Sequence, residues 1–398
     1  MQQRQKLPEN KKSGGAEALV SVVSCESYDP ALCAEALEKV LEPLGGLDFV
    51  REGMTVGIKA NLVSFMKPDA AGTTHPALLS ALTAMLRKRG ARVVIGDSPG
   101  GLYTAAYVKN VYRATGMYEA EKAGAELNMD FSQREADYPE AAAAKHFTYT
   151  AWLDRCDAII DFCKLKTHGM MGMSAAAKNL FGIVPGTLKP EYHYKYSDPR
   201  EFARMIVDLD EFAHPVLSIA DGVTGMEGNG PTAGNPRHIG VLLASDSPHE
   251  ADLACARIIG LRREDVPTLE AAFERRLIPE RAEELDIVGD LDRFIVPDFD
   301  RIVTKNDILF RDKLPGAAGR LLGAFIHRCM GSEPHLHPEL CVGCEKCART
   351  CPAGAIAMRN QRPRIDRRKC IRCFCCQEFC PKGAMKAERP LIARLLNR

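Results

Sequence analysis

The chain has 398 residues, 46% apolar and 26% charged, and its 53 Lys and Arg against 52 Asp and Glu leave a net charge of +1. That length supplies two or three folding units with a full core. The charge balance argues against a strongly basic nucleic-acid binder, and the ordinary apolar content argues against a disordered chain.

Residues 1–17 are polar, carry no apolar signal core, and read as a flexible lead-in. From there short apolar runs alternate with helical patterns. Ala18–Val23 reads as a strand, and Asp29-Pro30 supplies an N-cap and a first-turn proline for a helix toward Leu41. Met54–Ile58 is a second strand, Thr74–Gly90 a helix with leucines at helical spacing, and Arg92–Gly96 a third strand. Further strands are expected at Ala158–Phe162, Val216–Ala220 and Ile239–Ala244. Helices are expected at Ser174–Leu180, Pro199–Phe212 and His249–Ile259. The alternation predicts an α/β unit over residues 18–311, a largely parallel sheet covered by helices on both faces. Residues 312–334 read as a linker with one short amphipathic helix. Residues 335–388 form a small α+β unit, and 389–398 a basic tail. No apolar run reaches the length of a membrane span.

Fifteen cysteines are the anomaly, and nine of them fall between Cys341 and Cys380. A disulfide scaffold is short and secreted, and this chain is neither, so a reduced, cytoplasmic location and metal chemistry are expected. Cys341-Val-Gly-Cys344-Glu-Lys-Cys347-Ala-Arg-Thr-Cys351-Pro352 and Cys370-Ile-Arg-Cys373-Phe-Cys375-Cys376-Gln-Glu-Phe-Cys380-Pro381 are two copies of C-x2-C-x2-C-x3-C-P. In that spacing three thiolates wrap one cubane and the fourth reaches the other. Cys341, Cys344, Cys347 and Cys380 are therefore expected to hold one [4Fe–4S] cluster. Cys370, Cys373, Cys376 and Cys351 are expected to hold a second, with Cys375 outside both sets. Structural zinc is the competing reading, and the doubled four-cysteine run with proline disfavours it. The run resembles the bacterial two-cluster ferredoxin module. Its basic stretch from Arg359 to Arg372 reads either as a solvated loop or as a docking face for an acidic redox partner or the first unit.

In open parallel sheets ligands bind beyond the carboxyl ends of the strands. Polar residues gather at those predicted ends: Lys59 and Asn61, Asp97, Lys164, Lys166 and His168, and Asp221. Each has an ordinary explanation. A strand-end Asp caps the next turn, alternating lysines mark a solvent face, and a lone histidine is a structural hydrogen bonder. Convergence at one sheet edge favours a site, and its chemistry suits an anion. Metal binding through Asp97, His168, His193 and Asp221 has no diagnostic spacing. Dinucleotide and P-loop fingerprints are absent.

Several ordered motifs share a pattern: Gly57-Ile-Lys-Ala-Asn61, Asp97-Ser-Pro, Lys164-Leu-Lys-Thr-His168-Gly, Lys178-Asn-Leu-Phe-Gly182, Asp221-Gly-Val with Glu227-Gly-Asn-Gly-Pro231, and Ala251-Asp252. From about residue 18 to about residue 310 the chain resembles the domain of unknown function 362, found in iron–sulfur cluster-binding proteins and often fused to a two-cluster ferredoxin. The resemblance implies that the polar residues belong to a shared pattern and leaves their ligand open. The expected function is single-electron transfer by two [4Fe–4S] clusters, feeding a small-molecule substrate or cofactor site in the α/β unit. The alternative is a non-catalytic carrier or assembly factor whose first unit binds a partner protein. No nucleic-acid partner is expected.

Overall fold

The computed structural model describes residues 18–301 and 332–388. The expected linker therefore lies almost wholly outside the described residues, as do the lead-in and the basic tail.

The first half of the chain runs β1 (Leu19–Ser24), α1 (Pro30–Leu41), β2 (Thr55–Ala60), α2 (Pro76–Lys88), β3 (Arg92–Gly96), α3 (Ala105–Ala114), α4 (Tyr118–Lys122), β4 (Ala125–Leu127), β5 (Gln133–Asp137) and β6 (His146–Thr150). It continues through β7 (Ala158–His168), β8 (Gly172–Ser174), α5 (Ala176–Leu180), α6 (Lys189–Lys195), α7 (Pro199–Ala213), β9 (Leu217–Glu227), β10 (Asn235–Ser245), α8 (Pro248–Ile258), α9 (Pro267–Glu274) and β11 (Asp286–Val288). Helix starts follow local chemistry. Asp29 Oδ1 accepts from the Ala31 and Leu32 amides ahead of α1, Asp198 caps α7 and Ser247 caps α8, each followed by proline.

Nine strands form one sheet in the order β11-β1-β10-β9-β7-β2-β3-β4, with β8 folded back on β7. The pairs β9–β7, β7–β2, β2–β3 and β3–β4 are parallel, and β10 is antiparallel to both β1 and β9. Alternate residues of β7 enter different cores. Ile159, Cys163 and Leu165 pack with α5, α7 and α8, whereas Ile160 and Phe162 pack with α1 and α2. All eleven β7 residues are buried, as expected of a central strand covered on both faces.

Two strands run six or more residues past their expected ends. The strand expected at Ala158–Phe162 continues to His168, and the one expected at Val216–Ala220 continues through Asp221 to Glu227. Lys164, Lys166 and His168 are thus strand residues. The solvent-face reading of the two lysines fails, because they are 0% and 1% exposed. Apolar periodicity stopped at Phe162, whereas the ladder continues wherever buried polar groups find partners.

Residues 332–388 form the small α+β unit. Strand β12 (Glu333–Leu336) pairs with β15 (Met385–Glu388), and β13 (Ile356–Arg359) pairs with β14 (Arg362–Ile365), all antiparallel. Four-residue helices span Lys346–Arg349 and Cys375–Glu378.

One buried carboxylate ties the β5–β6 hairpin to α7. Asp208, fully buried, accepts from the Ala142, Ala143 and Ala144 amides at 2.8, 2.7 and 2.8 Å and pairs with Arg275 at 3.0 Å. Asp208→Ala strands these donors together and is expected to cost about 3 kcal/mol or more. The check is the urea midpoint of the variant against the parent chain.

Candidate functional site

The carboxyl ends of β2, β3 and β7 open into a cleft of about 60 Å³. Asn61, Asp97, Lys166 and His168 line it together with Ser174, Lys178, Lys189 and Gly182. From the cysteine-rich unit comes Glu378. Four of the seven residues singled out in the α/β unit therefore meet here.

Lys59 lies just beneath. Its ammonium pairs with Asp97 Oδ1 at 2.8 Å and donates to Asn179 Oδ1 at 3.1 Å. Asn179 Nδ2 in turn donates to Asp161 Oδ1 at 2.6 Å and to the Lys59 carbonyl. Burial holds the Asp161 carboxyl well above its usual range. The segment Phe181–Ile183 lies close over this ion pair. A Cβ at Gly182 would stand 2.3 Å from Asp97 Oδ1 and 2.5 Å from Lys59 Nζ, so a side chain there would displace this ion pair.

Lys166 has neutral partners, donating to Asn61 Oδ1 at 2.8 Å and the Gly72 carbonyl at 2.7 Å. Burial lowers its pKa to about 7, against the pull of Asp97. Burial also lowers Lys189, to about 8, and Lys178. Lys178 stands 4.4 Å from the Phe181 ring centre, and Lys189 donates to the Ser98 carbonyl.

His168 has a defined tautomer. Nδ1 accepts from the Met170 and Met171 amides at 3.1 and 3.2 Å, so Nε2 carries the hydrogen, 2.8 Å from Glu378 Oε1. Burial lowers the His168 pKa and keeps the ring neutral at neutral pH. Burial pushes the Glu378 carboxyl up, but His168 and Lys178 outweigh it and leave it below the usual carboxylate range. Three lysines thus line a cleft in which Asp97 is already paired with Lys59, leaving Glu378 as its balancing charge.

Lys164 and Asp221 go elsewhere. They face each other across β7 and β9, paired at 2.9 Å and fully buried. Tyr28 OH donates to Asp221 Oδ1 at 2.9 Å and accepts from Lys164 at 2.7 Å, while its ring stacks on His75. This network braces β7 against β9 and does not line the cleft.

Sequence reasoning missed Lys178, Lys189, Ser174 and Glu378 as site residues. Lys178 sits in a motif noted above for its pattern alone. Glu378 lies among the cysteines, and nothing local pointed it at a cleft some two hundred residues upstream. The two units meet there. Gln377 Nε2 donates to the Asn229 and Gly230 carbonyls at 3.0 and 3.2 Å, and the Ala387 amide donates to Asn229 Oδ1 at 3.0 Å.

The motif cysteines ring two cavities. Cys341, Cys344, Cys347 and Cys380 line one, and Cys351, Cys370, Cys373 and Cys376, with Cys375, line another. Among the described residues no three Cys, His, Asp or Glu side chains close on a single ion. Backbone amides approach the crossing sulfurs: Ala355 N–H donates to Cys351 Sγ and Ala384 N–H to Cys380 Sγ, both at 3.2 Å. Four thiols per cavity with N–H···S bonds suit a cubane cluster in each.

A model of the family described as "Domain of unknown function (DUF362)" matches residues 56–257, and one described as "4Fe-4S dicluster domain" matches residues 333–381. The thylakoid-associated protein sll1697 of Synechocystis is 31% identical over 271 residues, which cover 66% of this chain and 81% of that protein. The lactate racemase apoprotein of Thermoanaerobacterium thermosaccharolyticum overlaps in part, with a TM-score of 0.34 and 13% identity over 51% of this chain and 50% of that one. No helix among the described residues is long and apolar enough to cross a membrane.

The sorting of the lysines is testable. Lys164→Met leaves Asp221 without its cation in the core and is expected to cost about 3–5 kcal/mol, whereas adding Asp221→Leu recovers most of it. Thermal denaturation of the single and double variants measures both effects.

Proposed function

The chain belongs to the DUF362 family and carries a 4Fe-4S dicluster domain, and from that premise we propose that it is an oxidoreductase: two [4Fe–4S] clusters exchange single electrons with an anionic ligand held in the basic cleft. The observation that carries the reading is the position of Glu378. It sits on the turn of chain between Cys376 and Cys380 and also lines the cleft of Lys166, Lys178 and Lys189. Glu378 stands two positions from Cys376 of one set and two from Cys380 of the other, and tethering both units in one chain favours transfer between them.

When bound, clusters of this kind supply or accept one electron at a time. Cys341, Cys344, Cys347 and Cys380 would hold one, and Cys351, Cys370, Cys373 and Cys376 the other. The rest falls to the cleft. Lys166, Lys178 and Lys189 attract an anion of one or two charges, Ser174 and Asn61 orient it, and Lys166, with a pKa of about 7, can give up a proton near neutrality. A reduced, cytoplasmic compartment suits fourteen free cysteines among the described residues.

Two measurements test this reading. Anaerobically purified protein should contain about eight iron and eight sulfide per chain. Cys351→Ser should remove about half of the iron, because that thiol crosses to the second set, and Cys375→Ser should remove none. Stoichiometric zinc, or about four irons after full reconstitution, speaks against the two-cluster assignment.

The second measurement uses sulfate, whose charge is constant across neutral pH. Lys166 and Lys189 are charged below pKa values of about 7 and about 8 and lose their protons above them. Sulfate binding, followed by calorimetry, should therefore weaken about tenfold from about pH 6 to about pH 9. Lys166→Met should remove the lower part of that dependence. Binding that is independent of pH and of Lys166 would leave the cleft without its assigned ligand chemistry.

A further inference from the structure

The polar groups of the cleft divide into those the protein satisfies and those it leaves open. Lys166 donates to Asn61 Oδ1 and the Gly72 carbonyl, Lys189 donates to the Ser98 carbonyl, and Asp97 is paired with Lys59. Three donors have no acceptor among the described residues. Asn61 gives its Oδ1 to Lys166, so its Nδ2 is left over. Ser174 sits opposite Lys166 in the β7–β8 pairing, and its hydroxyl has no partner. The Lys178 ammonium has ring faces and no oxygen, standing 4.4 Å from the Phe181 centre and 5.5 Å from that of Phe202. Asn61 and Ser174 are 7% and 3% exposed, so bulk water does not take the place of the missing acceptors.

The rest of the lining is apolar and tight. Val63, Phe181 and Pro231 line the same cleft. Val63 has a φ of 24°, a left-handed backbone that a β-branched residue adopts only where its surroundings compel it, and its carbonyl accepts from the Gly100 amide at 2.9 Å. The cleft offers about 60 Å³. One water needs roughly 10–15 Å³ by that measure, so the space takes a ligand of about four to six non-hydrogen atoms. A nucleotide or a cofactor ring does not fit. Glu378 lines the cleft as well, so a ligand with a second negative group would meet a like charge there.

We propose that the ligand of this cleft is a small organic monocarboxylate of about two to four carbons, its carboxylate taken by Asn61, Ser174 and Lys178 and its carbon chain by Val63, Phe181 and Pro231. A carboxylate brings acceptor oxygens and no donor, which is what three unspent donors require. An inorganic oxyanion of the same size would satisfy those donors and leave the apolar wall facing oxygen. The proposal deepens the basic-cleft reading above and rests on it.

The test is calorimetry on the full chain, purified without air, at pH 7, with formate, acetate, propionate, octanoate and malonate, and with sulfate as reference. From formate to propionate the affinity should rise about fourfold per carbon, as each buried methylene contributes. Octanoate should bind no tighter than propionate, malonate should bind more weakly, and propionate should displace sulfate. Lys178→Met and Ser174→Ala should each weaken propionate about tenfold with iron content unchanged. The carbon series is read on the parent chain and so does not depend on either variant folding. Equal affinity for formate and propionate, octanoate or malonate binding tighter than propionate, or propionate binding untouched by both substitutions would overturn the proposal. Sulfate bound through Lys166 with no binding of propionate would overturn the carboxylate and leave the basic cleft standing. Binding of neither anion would strike both.

Discussion

An ammonium group loses several kcal/mol of hydration on burial unless other polar groups replace its water. This protein buries three on neighbouring strands: Lys59 on β2, and Lys164 and Lys166 on β7. Each is settled differently. Lys59 has Asp97, Lys164 has Asp221, and Lys166 has only the neutral oxygens of Asn61 and Gly72. The two ion pairs fix the sheet. The lysine without a carboxylate partner is the one that opens on the cleft, and burial lowers its pKa to about 7.

The same constraint shapes the segments around the cleft. Asn179 joins Lys59 to Asp161, so the helix Ala176–Leu180 is held by the groups that need it as a partner. Asp252 holds the other end of that helix, accepting from the Ala176 amide at 2.6 Å. At Gly230 a Cβ would stand 2.0 Å from the Thr167 carbonyl, so the loop that receives Gln377 can lie against β7 only with glycine there. The cysteine-rich unit docks onto this backbone surface and brings Glu378 to the cleft.

The module thus has two ends with different chemistry. One end is bound to the α/β unit through backbone carbonyls, an asparagine side chain and a histidine–glutamate contact. The other presents Cys344 and the apolar side chains of Leu340 and Val342 to solvent.

Much was legible in the sequence wherever a property is local. The cap of α1 at Asp29, the limits of β3 at Arg92 and Gly96, and the sharing of the cysteines into two fours depend on residues within a few positions of one another or on a fixed spacing. Local pattern also brought Lys59, Asn61, Asp97, Lys166 and His168 to one sheet edge, because strand ends are readable from apolar runs. It could not separate Lys164 from Lys166, since two lysines one residue apart look alike until the register of β7 against β9 sets Asp221 opposite one of them. Nor could it find Glu378, whose partner His168 lies 210 positions upstream; only the packing of one unit on the other decides which side chains share a desolvated space. Sequence determined which groups this protein has and the local shapes that carry them. Tertiary structure decided which charges are compensated, because compensation depends on distance through space and on the exclusion of water, and neither is a property of neighbours along the chain.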